Sequence, residues 1–342
     1  MSAIFTSEQL EIEQTLLALG ERGPALARAG HEQGWQAPPF EQRLLEDYGI
    51  VGVPESAGGV GSGLVDLAVA VEALGRRLVP TRYVAQAAAV QLAAAAGLDV
   101  ADAAAGRVRW SPAVDEPDRD GYDDPSTTLS GGRVRGEKTL VAFPEGADAL
   151  VVSLAGSTAL VSAEGVGNRR SLDPSRPYGS VSLDAEPLAA GPAGDGLLRG
   201  AVLVAADLCG VARGAIELGA SYAGERRQFG QPIGAFQGVA FQLVEAFVGL
   251  KAAWDLTLYA AWAVNEGEPD AAAHVHAAKA RAGEAAVFAA ERTIQVHGGM
   301  GITAEADPQL YLRRALATEP WFGASAWHRR RLGLIRLAGA AA

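Results

Sequence analysis

The chain has 342 residues, enough for two or three domains, and at 49% hydrophobic it is too apolar to stay disordered. Its 29 Lys and Arg stand against 40 Asp and Glu, and the net charge of −11 disfavours general binding to nucleic acid or anionic membranes. A single cysteine, Cys209, excludes an internal disulfide and a cysteine-cluster metal site, and fits a reducing cytosol.

Glu8, Glu11 and Glu13 interrupt the opening segment, where a secretory leader needs a basic start and an unbroken apolar run. No window reaches the ~18 apolar residues of a membrane span. The nearest approach, residues 84–96, is alanine-rich and contains Gln86 and Gln91. A soluble cytoplasmic protein is expected. Residues 1–105 read as helical. Ile12, Leu16 and Leu19 share one face, and Leu64, Leu67, Ala68, Val71, Leu74 and Leu78 repeat at helical spacing up to Pro80. Between them, the proline and glycines of residues 53–61 predict a loop.

Residues 106–192 change texture. Short β-like runs at 107–110, 127–129, 138–143, 149–154, 158–161 and 180–183 are separated by Gly, Pro, Asp and Ser. That pattern predicts a small antiparallel barrel or sandwich. Residues 189–196 read as a linker. Residues 193–342 return to helix. Val204, Leu208, Val211, Ala215, Leu218 and Tyr222 form one apolar stripe; Phe236, Val239, Leu243, Phe247, Leu250 and Trp254 form a second. A third helix starts near Pro269 and stops at Gly298-Gly299. Long helices with short connections predict a four-helix bundle. The fold expected is mainly α with a middle β-domain.

Three segments carry a resemblance. The first is Val53-Pro54-Glu55-Ser56-Ala57-Gly58-Gly59-Val60-Gly61, followed by Val71-Glu72-Ala73-Leu74-Gly75-Arg76. The second is Glu225-Arg226-Arg227-Gln228-Phe229-Gly230-Gln231-Pro232-Ile233, leading to Phe236-Gln237. The third is Ile294-Gln295-Val296-His297-Gly298-Gly299-Met300-Gly301. In this order, with a β-region between the first two, they resemble the acyl-CoA dehydrogenase family over nearly the whole chain.

The resemblance implies an N-terminal helical domain, a middle β-domain and a C-terminal bundle. It also implies FAD chemistry: a carboxylate takes the α-proton of an acyl-CoA thioester while the β-hydrogen leaves as hydride. The adenosine and diphosphate of each FAD are gripped partly by a neighbouring subunit, through the second and third segments. The candidate cofactor residues are therefore Arg226, Gln228, Phe229, Gln295, Gly298 and Gly299. A guanidinium suits a diphosphate, an aromatic ring packs on a flat ring, and glycine lets backbone N–H groups approach closely. Read singly, Arg226-Arg227 also suits a solvated helix end, and Gly298-Gly299 a helix C-cap.

The departures from the family are as informative. Its flavin ring is held by a Thr/Ser-rich acidic loop and a Trp-containing strand. Here the loop reads Ser111-Pro112-Ala113-Val114-Asp115-Glu116-Pro117, and the strand reads Gly136-Glu137-Lys138-Thr139-Leu140-Val141-Ala142-Phe143, without tryptophan. Trp110 sits on a different strand. Counting from Gly298-Gly299 puts Phe322-Gly323 where the base glutamate belongs, and counting back from Arg226 puts Gly200 at the family's alternative base position. Neither residue accepts a proton, so no catalytic residue is expected in this chain. Glu319 is the one candidate for a displaced base.

Other residues read as structural. His274 and His276, two apart on a helix, point ~200° apart and cannot chelate one metal. Arg329-Arg330-Arg331 suits a solvated basic face better than a CoA phosphate, and Cys209 a packed small residue. Asp207, inside an apolar stripe, needs a partner or a polar subunit interface.

The resemblance thus extends to the second, base-lacking subunit of heteromeric bacterial acyl-CoA dehydrogenases of sterol side-chain degradation. The implied assembly is α2β2 with a homologous subunit and FAD at the interface. The implied substrate is an acyl-CoA, and the implied acceptor an electron-transfer flavoprotein. The alternatives are a homomeric dehydrogenase with a relocated base, and a flavin-free scaffold binding acyl-CoA or protein.

Overall fold

Helical stripes in the first hundred residues become six helices in the computed structural model, which describes residues 5–164, 166–169 and 171–340. They are α1 (Ser7–Leu19), α2 (Gly23–Gln33), α3 (Glu41–Tyr48), α4 (Leu64–Arg76), α5 (Tyr83–Ala95) and the single turn α6 (Ala101–Ala104). Thr6 and Gln9 cap α1 reciprocally, each side chain accepting the other's backbone N–H. α4 and α5 are buried almost throughout, as their alanine and valine content allows. The 53–61 segment is the expected loop, with one 3-10 turn at Glu55–Ala57.

Eight strands follow: β1 (Trp110–Ala113), β2 (Thr128–Ser130), β3 (Arg133–Ala142), β4 (Ala149–Leu154), β5 (Ser157–Ser162), β6 (Gly167–Arg169), β7 (Tyr178–Ala185) and β8 (Ala189–Pro192). They form two four-stranded sheets, ordered β1-β4-β5-β8 and β2-β3-β7-β6. Val134, Val141, Leu150, Val152, Ala159 and Val161 share one buried apolar cluster of this layer. Two sequence expectations change here. The β1–β4 pair is parallel, not antiparallel, because the β2–β3 excursion between them returns the chain to the same end of the sheet. The first half of the expected linker is a strand, since β8 pairs with β5.

The bundle begins with α7 (Gly196–Glu225), whose end leads into the hairpin β9 (Arg227–Gln228) and β10 (Gln231–Pro232). α8 (Gln237–Glu266), α9 (Ala271–His297), α10 (Pro308–Thr318) and α11 (Ser325–Ala340) complete it. α7 to α10 make the four-helix core, and α11 adds a fifth helix against α9. The second stripe divides: Leu250 and Trp254 are buried, while Phe247 and its neighbours Phe241, Val244 and Val248 face outward. Among the described residues no helix is long and apolar enough to cross a membrane.

The loop between β6 and β7 latches the layers together. Asp207 on α7 meets Arg176 of this loop through both terminal guanidinium nitrogens, and Arg176 also donates to Thr318 at 3.2 Å. The partner that Asp207 requires is therefore within the chain, not at a subunit interface. Asp173 pairs with Arg314 and His31. Burial opposes its ionisation, but Arg314 beside it, with hydrogen bonds from His31 and Ser175, holds the carboxyl far below its usual range.

Candidate functional site

The two positions at which a base is expected meet in the fold. The Phe322 ring lies over Gly200, and a Cβ built on Gly200 would stand 2.2 Å from Phe322 Cε1. Phe322 is completely buried and adopts a left-handed φ of 55°. An apolar ring thus fills the space where either carboxylate would project. Glu319, the candidate for a displaced base, is engaged at the start of α11. Its carboxylate accepts the Ser325 N–H at 2.6 Å, capping the first turn of α11, and its side chain packs on Gly283 of α9.

The segment around Phe322 is bolted down by buried polar groups. Asp115 accepts the N–H groups of Phe322 and Gly323 at 3.1 and 3.2 Å. Burial raises its carboxyl to about 6, against the pull of those two bonds and of Lys279 and Lys138. Lys279 on α9 donates to the carbonyls of Glu319 and Gly323 at 2.7 and 2.9 Å, and burial lowers its ammonium to about 8. His328 Nε2–H donates to the Phe322 carbonyl at 2.9 Å, which leaves its Nδ1 to accept from His276 Nδ1–H at 2.8 Å. Burial keeps this histidine pair neutral, lowering His276 to about 4 and His328 further.

The loop and strand that in the family hold the flavin ring are satisfied internally. Glu116 accepts from Ser126, Thr127 and Lys138, while Lys138, fully buried, also donates to the Val114 carbonyl at 3.1 Å and Ser153 at 3.3 Å. Leu140, on the strand that lacks the tryptophan, takes a φ of 49° within a bulge of β3. Trp110 is on β1, its backbone N–H bonded to Gln86.

The cofactor candidates gather at the opposite kind of place, an exposed end of the bundle. α7 and α9 run parallel, with Thr293 Oγ donating to the Ala215 carbonyl at 2.7 Å and, further along, Tyr222 stacked on His297 at 4.1 Å. Arg226 follows Tyr222 by one turn and Gly298 follows His297, so the two motifs emerge side by side. Arg226, Gln228, Phe229, Gln295, Gly298 and Gly299 are all exposed. Phe229, at the hairpin tip, is 92% exposed with a φ of 50°, a strained conformation for an aromatic residue. A Cβ on Gly298 or Gly299 would meet nothing within 4 Å, so their backbone is open to a ligand.

The remaining candidates are structural. His274 pairs with exposed Asp270 and faces away from His276, and no group of three metal-binding side chains occurs among the described residues. Arg329, Arg330 and Arg331 pair with Glu284, Asp120 and Asp123. Cys209 is buried, with its thiol pushed up to about 12. Sequence reasoning missed Lys279 and His328. Lys279 was detectable, because it lies between Val275 and Ala282 on the apolar stripe of α9. The loop that brings Asp115 to Phe322 had no local signal.

Residues 193–334 match the family model described as acyl-CoA dehydrogenase, C-terminal domain. The chain is 30% identical over 319 residues to acyl-CoA dehydrogenase IpdE2 of Mycobacterium tuberculosis, covering 90% of this chain and 91% of the relative. A solved variant of the steroid ACAD Tcur3481-Tcur3483 superposes with a TM-score of 0.88 at 26% identity, covering 98% of this chain and 99% of the other. The ChsE4-ChsE5 complex of Mycobacterium tuberculosis gives a TM-score of 0.84 at 25% identity over 97% and 98% of the two chains.

Proposed function

Because the chain belongs to the acyl-CoA dehydrogenase family, we propose that it is the base-lacking subunit of a heteromeric, FAD-dependent acyl-CoA dehydrogenase, completing its partner's cofactor site. The observation that carries the reading is the Phe322 ring seated on Gly200, which leaves neither base position with a carboxylate. The residues fit half of an FAD. Around the family's flavin-ring positions, Asp115, Glu116 and Lys138 are taken up by one another and by the backbone. At the bundle end, exposed Arg226 and Gln228 suit a diphosphate, Phe229 a flat ring, and the open backbone of Gly298 and Gly299 an anion. FAD, when bound there, supplies the hydride acceptor for α,β-dehydrogenation of an acyl-CoA thioester.

The outward face of the first half of α8 supports a homologous partner. Phe241 and Val248 are 63% and 60% exposed, on the same helix as Val244 and Phe247. An apolar face of this kind on a bundle helix suits another helix. An α2β2 assembly, an electron-transfer flavoprotein as acceptor and a cytoplasmic location complete the proposal. Likeness to a protein named as a steroid ACAD favours a bulky sterol-derived acyl group as substrate.

Co-expression with a homologous glutamate-bearing chain tests this. A yellow complex with fewer than one FAD per chain is expected, and this chain alone should be colourless or poorly soluble. A yellow homo-oligomer with one FAD per chain refutes the reading.

A further inference from the structure

Apart from the base positions and the cofactor motifs lies a cavity of about 630 Å³, bounded by the α2–α3 connection, the start of α5 and the β-domain. Its volume falls in the range of small-ligand sites, ~300–1,000 Å³. Trp35, Ala37, Pro174 and Pro177 give it apolar walls, and Arg82, Arg109 and Arg169 bring three guanidiniums. Glu41 and Glu145 are the carboxylates in the lining, so the cavity carries an excess of positive charge within a chain of net charge −11.

The charges are not equally available. Glu41 is taken up inside the protein, accepting from Thr81 Oγ at 3.0 Å, Arg82 N at 2.8 Å and Arg82 Nε at 3.3 Å. It neutralises buried Arg82. The Arg109 side chain donates to the neutral amide oxygen of Gln42 at 3.1 Å and forms no ion pair among the described residues, and neither does exposed Arg169. The wall is preorganised. Trp35 Nε1 donates to the Pro80 carbonyl at 2.6 Å, its ring meets Phe143 edge-on at 5.0 Å, and Arg82 lies 5.1 Å from its centre.

We propose that this cavity binds an organic anion, a carboxylate or phosphate carried on an apolar body, with Arg109 and Arg169 holding the charge and the Trp35–proline wall the body. Guanidiniums recognise an oxyanion through several donors, and an apolar wall excludes the water that would compete for it.

Calorimetric titration of the assembly co-purified with its partner, with inorganic phosphate, ADP and cholate as probes, tests it. Comparison with the Arg109→Ala/Arg169→Ala variant isolates the cavity from any other site. ADP or cholate is expected to show saturable binding at least tenfold tighter than phosphate alone. The variant should weaken it about ten- to a hundredfold, as loss of a charge-assisted bond does. The tighter probe distinguishes a nucleotide from a carboxylic acid as the natural source. Arg169 is on the surface, so Arg169→Ala alone, expected to weaken binding at least threefold, serves if the double variant does not fold. The proposal is overturned if neither organic probe has a component that these variants weaken, or if phosphate alone binds as tightly.

Discussion

Gly200→Ala isolates the contact on which the functional reading rests. In an open helix this change stabilises by about 1 kcal/mol, because glycine has the greater backbone freedom to lose. Here the new methyl would stand 2.2 Å from Phe322 Cε1, far inside contact distance. The ring cannot swing clear, since Phe322 is fully buried, both neighbouring N–H groups are tied to Asp115, and its carbonyl is held by His328. Overpacking of this kind costs about 1–3 kcal/mol, and more where neither side can yield. Gly200→Ala should therefore destabilise by about 1–2 kcal/mol. Phe322→Ala alone should cost about 3–5 kcal/mol by leaving a cavity. In the Phe322→Ala background, Gly200→Ala should turn stabilising by up to about 1 kcal/mol, because the obstacle is gone. The coupling is then about 1–3 kcal/mol. Urea unfolding of the co-purified assembly, followed by circular dichroism at constant slope, measures it. A Gly200→Ala chain as stable as the parent, or more so, would show that the ring does not occupy the base position.

Glu319→Gln should leave turnover of the assembled enzyme nearly unchanged and lower the unfolding free energy by about 0.5–2 kcal/mol through a weakened α11 cap; loss of a true general base costs ~100- to 10,000-fold in rate, so steady-state kinetics decide between the two roles. Arg226→Ala should weaken FAD retention about ten- to a hundredfold, read by flavin release on dilution, with an unchanged unfolding midpoint because the side chain is exposed. The His276–His328 pair should make stability fall on acidification. An unfolded histidine takes up a proton near 6.5 and folded His276 near 4, so between those pH values protons favour the unfolded chain. Because the raised Asp115 carboxyl acts in the opposite sense below about 6, the measurement is a difference: the stability gap between parent and His276→Gln should narrow as pH falls from 6.5 to 4. A gap that is constant with pH would place the pair outside the titrating groups.

The sequence determined the order of helical, β and helical regions, because 3.6-residue stripes and short punctuated runs are local properties. It also showed that Phe322 and Gly200, the positions where the resemblance expects a base, carry no carboxylate. It could not show that Phe322 and Gly200 touch, since 322 and 200 are joined only by the packing of the segment before α11 onto the start of α7. Nor could it show that Asp207, anomalous in its stripe, is answered by Arg176 from the β-domain. The parallel β1–β4 pair and the strand at 189–192 escaped the reading for the same reason: strand partners are chosen at long range, and a run of Ala, Gly and Pro has little strand propensity of its own. Arg226 and Gly298 were legible as motifs, but only the parallel packing of α7 and α9 sets them side by side at one exposed end. Local patterns fix what each segment prefers to be. Which charged groups are buried together, and which apolar ring seats on which helix, is decided by tertiary packing, where close contact makes an unmatched group costly.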